Sequence, residues 1–228
     1  MAEEQVDLFN LMGASAQPEV DIERIPEDAR VPILPGTYHD FETIARHCSR
    51  CYRCELGKTR THAVVARGNP QAILMVIGEG PGENEDLTGV PFVGKAGQLL
   101  DKILTSVKLD PEKDVYVANI VKCRPPGNRK PTPDEMKACS GYLREQIRMV
   151  DPKILMLAGG TAVEGLLGDK RGITRLRGQW IQWEGRWVMP FLHPAFLLRN
   201  PSREVGSPKW HAWQDIQQIR VKFDELSV

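Results

Sequence analysis

The chain has 228 residues, 26% of them charged, and its 30 lysines and arginines balance its 30 aspartates and glutamates. That length suits one sizeable α/β core, and the balance excludes a global basic field, so a nucleic-acid partner would have to be met by locally concentrated cations. No run of about 18 apolar residues is present, which excludes a helical membrane span, and the acidic opening MAEEQVDLFN does not have the form of a secretory signal. The expected location is the cytoplasm, nucleoid-associated if DNA is the target. In that reducing setting, ligand or catalytic roles outrank disulfides for the five cysteines.

Residues 1–36 read as separate from the rest. Residues 13–36 are rich in Pro, Glu, Asp and Arg and have no apolar period, as in a flexible linker. A catalytic body is expected over 37–228. It starts with a short helix from Tyr38 that sets Phe41, Ile44 and Ala45 on one face. Three short apolar runs follow, at 72–77, 115–121 and 154–158, each suited to a strand buried on both faces. Helical patterns succeed them at 95–107, 132–150 and 161–167, and this alternation predicts a parallel sheet with helices on both faces. Two short strand patterns flank Glu184-Gly185 as a hairpin, and a helix near 210–226 closes the chain.

The segment IGEGPGENEDLTGVPFVGKAG, residues 77–97, joins the first apolar run to its helix. A glycine-rich turn at such a place suggests a phosphate cradle. Gly89-x4-Gly94-Lys95 has the Walker spacing but ends in Ala96, so the magnesium-binding hydroxyl is missing. Gly78, Gly80 and Gly82 alternate and miss the dinucleotide spacing. Phe92 is better explained as a flat wall for a flat ligand, since bases stack on aromatic faces. Asn119 sits near the end of the second apolar run, where ligands gather in open α/β sheets, and its amide can read a base edge. His193 follows another apolar segment, in a proline turn.

Cys51-x2-Cys54, Cys123 and Cys139 offer four thiolates for zinc or an iron–sulfur cluster, and spacing alone does not choose between them. Cys48 is a fifth candidate. Cys139 lies in a helix opened by a capping box, Thr132-Pro-Asp-Glu135, on an inward face.

Five ordered segments then carry a specific resemblance: CYRCELGKTRTHAV, GEGPGENEDLTGVPFVGKAG, NIVKCRPPGNRKPTPDEMKAC, ITRLRGQW and HPAFLLRNP. Over about residues 38–220 the chain resembles the family-4 type uracil-DNA glycosylases, the iron–sulfur members of the uracil-DNA glycosylase superfamily. The resemblance implies a three-layer α/β/α fold with a central, mostly parallel four-stranded sheet. It implies a [4Fe-4S] cluster on Cys51, Cys54, Cys123 and Cys139, with Cys48 spare. It implies hydrolysis of the N-glycosidic bond of deoxyuridine in DNA, leaving an abasic site for base excision repair. Phe92 is expected to stack on the flipped base, Asn119 to read it, and Gly78 and Pro81 to line its pocket. Glu85 is expected beside C5, where thymine carries its methyl. Glu79 and Gly80 are expected near O2 and the attacking water, and His193 is expected to donate to O2. Leu197 and Leu198 are the expected wedge, and Arg199, Arg203, Lys122 and Arg124 the expected phosphate contacts. Residues 124–131 contain no histidine, so the covalent reaction of a related group is not expected. Gln5, Leu8 and Phe9 resemble the pentapeptide by which bacterial repair proteins dock on the sliding clamp. A monomer is expected. The rival readings are a glycosylase of different base preference and a non-catalytic iron–sulfur module that binds DNA or assists a polymerase.

Overall fold

The computed structural model describes residues 20–227. Gln5, Leu8 and Phe9 lie outside the described residues.

The elements in chain order are α1 (Phe41–Ser49), β1 (Arg67–Gly68), β2 (Leu74–Gly78), α2 (Glu83–Thr88), α3 (Lys95–Ser106), β3 (Val115–Asn119), α4 (Pro133–Val150), β4 (Ile154–Ala158), α5 (Gly160–Leu167), α6 (Ile173–Leu176), β5 (Ile181–Trp183), β6 (Arg186–Phe191), α7 (Pro194–Arg199) and α8 (Pro208–Leu226). One sheet has the order β1-β3-β2-β4-β6-β5. Its central four strands are parallel. The edges are antiparallel additions, so the sheet has six strands where four were expected. β1 has two residues, too few for a period, and β5 is the first strand of the hairpin expected around Glu184-Gly185, which adds to the sheet through β6.

Alternation along the buried strands divides the core. Met75, Ile77, Ala118, Leu155 and Leu157 face α4 and α5. Leu74, Val76, Val117, Ile154 and Met156 face α3 and α8. The chain passes from β2 outward to β3 and then back across β2 to β4, which opens a crevice beyond the carboxyl ends of these strands.

The expected linker is packed from its described end onward. Ile25 is fully buried with Tyr38, Ile44, Cys48 and Tyr142, and Val31 and Ile33 pack against them. One guanidinium holds this segment: Arg53 donates to the carbonyls of Ile25, Asp28 and Val31 at 2.7–3.1 Å, and its Nε donates to Ala138 O at 3.3 Å. Carbonyls satisfied by a distant arginine need no helical or strand period, so sequence pattern could not distinguish this strap from a linker. The expected boundary at 36/37 therefore falls inside the packed body.

Candidate active site and cysteine centre

A cavity of about 440 Å³ lies over the carboxyl ends of the central strands, lined by Glu79–Glu85, Phe92, Asn119 and His193 among others. β2 ends in Gly78, and a Cβ there would press on the Phe92 ring and on Asn119 Oδ1. Glycine lets ring and amide meet directly over the strand end. Phe92 itself has φ 56°, an uncommon conformation for a bulky residue, and Gly97 permits it, because any Cβ at 97 would collide with the Phe92 carbonyl.

Glu85 closes the loop on itself. Its Oε1 accepts from the amides of Val93 and Gly94 at 3.0 and 2.7 Å, and its Oε2 from Gly82 at 3.1 Å. Amides that could have cradled a phosphate thus face a carboxylate of their own chain. This is the physical reason that the Walker-like spacing does not make a nucleotide site.

Asn119 is 2% exposed, and its Oδ1 is buried without a hydrogen-bond partner among the described residues. Its main-chain oxygen accepts from Lys122 Nζ at 2.8 Å. His193 caps α7: its Nδ1 accepts from the Ala195 amide at 3.1 Å. With Nδ1 an acceptor, the ring proton belongs on Nε2. Burial lowers the His193 pKa to about 4, with Arg199 adding to the effect, so the imidazole is neutral at pH 7. The rings of His193 and Phe92 are 6.1 Å apart and inclined by 30°. Glu79 accepts from the Thr161 hydroxyl on α5 at 2.5 Å. Thr161 gave no signal in the sequence, being one small residue in an ordinary helical pattern.

The structure separates the expected DNA contacts. Leu198 is 43% exposed, but Leu197 is 1% exposed and packed beneath α3 and α8, so it is not a wedge. Lys122 is 1% exposed and cannot touch a phosphate. Arg199 and Arg203 are exposed. Arg124 donates to Asn128 Oδ1 and faces Glu83 at 3.8 Å. A groove of similar size, about 460 Å³, lies between α3, α7 and α8, but its lining is apolar apart from its basic rim and Ser106, and it offers nothing to read a base.

All five cysteines, which are free thiols, line one void with Lys122 and Tyr142, and no acid or histidine lines it. The Tyr142 hydroxyl there is buried without a partner. Arg60 Nη1 donates to Cys123 Sγ at 3.5 Å, and the Lys122 amide to Cys139 Sγ at 3.3 Å. Burial pushes the Cys123 thiol up to about 11 and Cys139 up to about 12. Among the described residues no three His, Cys, Asp or Glu side chains converge as a site for a single ion.

Residues 65–217 match the family described as the Uracil DNA glycosylase superfamily. The chain belongs to this superfamily. A type-4 uracil-DNA glycosylase of Thermotoga maritima is 45% identical over 167 residues, 72% of this chain and 86% of that protein. A type-4 uracil-DNA glycosylase of Saccharolobus solfataricus is 40% identical over 170 residues, covering 71% and 79%. A type-5 uracil-DNA glycosylase of Pyrobaculum aerophilum is 30% identical over 204 residues, covering 77% and 90%. The uracil-DNA glycosylase match spans β2, β3 and β6, and with them Asn119, His193 and the loop that carries Phe92. No described helix is long and apolar enough to cross a membrane.

Proposed function

We propose that the protein excises uracil from DNA as a monofunctional, type-4-like uracil-DNA glycosylase. The observation that carries this is the buried, donor-less Oδ1 of Asn119, set beside an aromatic wall and a neutral histidine. Uracil N3–H supplies the missing donor, and the amide NH₂ donates to O4. Cytosine presents an acceptor at N3 and a donor at the 4-position, so it leaves both amide groups facing like groups. A buried mismatch of this kind discriminates strongly.

The base leaves the stack at a cost of a few kcal/mol and lies against Phe92. As the N1–C1′ bond breaks, its electron pair moves onto the base, and His193 Nε2–H donates to O2 where charge grows. Being already neutral and fixed by its cap, the ring needs no reorganisation. Water adds to the sugar cation at C1′, and the proton it loses passes through solvent to the departing uracil anion, so that the products are uracil and the abasic sugar. The Glu85 carboxylate is taken up by three amides, so it serves as the brace beside C5. Glu79, held at one oxygen by Thr161, is the better group to orient the water.

The cysteine void fits a [4Fe-4S] cluster on Cys51, Cys54, Cys123 and Cys139. The fit rests on five cysteines in a lining without carboxylate or imidazole, an orphaned Tyr142 hydroxyl and the adjacent cations Lys122, Arg53 and Arg60. Such a cluster supplies cross-linking of the chain, and the iron keeps the thiols ionised despite burial. Leu198, Arg199, Arg203 and Arg124 are the proposed DNA contacts. The protein acts as a monomer. Gln5, Leu8 and Phe9 are proposed to dock on a sliding clamp, which titration of a peptide of residues 1–15 against a Leu8→Ala/Phe9→Ala peptide tests.

The deciding experiment is release of free base from duplexes carrying uracil, a thymine mismatch or hypoxanthine. Uracil alone should be released, and Asn119→Asp, which cannot donate to O4, should slow release by roughly 100-fold or more. Release from none of the three would favour the non-catalytic module.

A further inference from the structure

Lys122 is the one buried lysine among the described residues. Its ammonium donates to the Asn119 main-chain oxygen at 2.8 Å, and among the described residues no carboxylate lies within ion-pair distance of it. A buried cation with one acceptor and no counter-charge is costly. Lys122 also lines the void of the five cysteines, together with Arg53 and Tyr142, and no carboxylate lines it. A four-iron cluster held by four thiolates carries net negative charge, and it would supply the absent counter-charge from that side. On the other side stands the end of β3, from which Asn119 presents its amide to the base.

We propose that Lys122 is a positioning residue that ties the charge of the cysteine-held cluster to the base-reading Asn119. The ammonium lies between the cysteine void and the Asn119 carbonyl. The cluster's charge holds it there, and it in turn pins the strand end that carries the amide. Integrity of the cysteine centre is thereby felt as affinity for uracil. This rests on the cluster assignment made above.

The test compares anaerobically purified wild type, Lys122→Met and Lys122→Arg. Iron content of the wild type tests the cluster by itself, and a chain without iron overturns both readings. With iron present, the midpoint potential of the cluster is followed by EPR-monitored titration, and KM and kcat are measured on uracil-containing duplex. Methionine fills nearly the same volume without charge, so a purely space-filling role would survive the change. Lys122→Met should shift the potential to more negative values, because the lost cation favoured the reduced cluster. It should also raise KM by roughly tenfold, the scale of one weakened hydrogen bond, with a smaller change in kcat. Lys122→Arg should restore both. Loss of iron or of folded chain from Lys122→Met alone supports the proposal, and loss from both variants overturns it. An unchanged potential overturns the link to the cluster, and a shifted potential with unchanged KM overturns the link to Asn119.

Discussion

A histidine that caps a helix through one nitrogen has only the other left for chemistry, and at His193 that constraint fixes both tautomer and direction. The lowered pKa has a consequence for stability. The unfolded histidine titrates near 6.5 and the folded one near 4, so between those values the unfolded chain binds more protons. Stability is fully present above about 6.5 and is lost as pH falls toward 4. Wild type should therefore lose about 2 kcal/mol more than His193→Gln between pH 7.5 and 4.5, measured by urea unfolding. Equal losses would mean that His193 is not held neutral. The single-turnover rate should show no titration of this group from pH 5 to 9, and His193→Ala should lower it by roughly 100-fold or more. As a cavity lining, the candidate site was largely legible at this scale. Phe92, Asn119 and His193 carry chemistry in their residue types, and all three line the one cavity. Thr161 and the burial of Lys122 and Leu197 were not legible, because a threonine, a lysine or a leucine next to a motif has no sequence mark of which way it points.

At the scale of elements, pattern was sufficient where an element satisfies itself. α4 begins as its capping box predicts: Thr132 Oγ1 accepts from the Glu135 amide at 3.2 Å and Glu135 Oε2 from the Thr132 amide at 2.7 Å. β4 falls on residues 154–158, as its apolar run predicts. Pattern failed where partners are remote. α2 is six residues within the glycine- and acid-rich loop, and its first turn is closed by Glu85. The strap before α1 is held by Arg53. Arg53→Met should leave several part-buried carbonyls without donors, at about 2–4 kcal/mol in total. The prediction is a lower thermal midpoint together with early proteolytic cleavage within residues 20–36. Cleavage at the wild-type rate would show that the Ile25, Val31 and Ile33 contacts hold the strap without the arginine.

For the whole molecule, the cysteine centre is continuous with the core on one face of the sheet and separate from the core on the other. The five thiols come from α1, the turn after it, the segment after β3 and α4, and the cluster of Ile25, Tyr38, Ile44 and Tyr142 packs beside them. Of the two large cores on the faces of the sheet, the first includes Cys123 and packs against Cys54 and Cys139, and the second contains no cysteine. A cross-link closing a loop of several tens of residues is worth about 4 kcal/mol by chain entropy. With the proposed cluster bound, removing its iron should therefore loosen one end of the molecule selectively. Hydrogen exchange after anaerobic chelation should rise in the strap, in α1 and in the first half of α4. Amides of β2, β4 and β6 should keep their protection, since their ladders do not pass through the cysteines and three of their flanking helices, α3, α5 and α8, carry none. The end of β3 is the point of contact between the two regions. Ile120 N donates to Gly78 O at 2.9 Å and Val121 N to Glu79 O at 3.2 Å, while Lys122 and Cys123 follow directly. Exchange at 120–123 should rise with the strap, carrying loss of metal into the loop over the candidate site. A uniform rise across the sheet would instead make the centre a determinant of the global fold, and unchanged exchange at 120–123 would separate it from the site altogether.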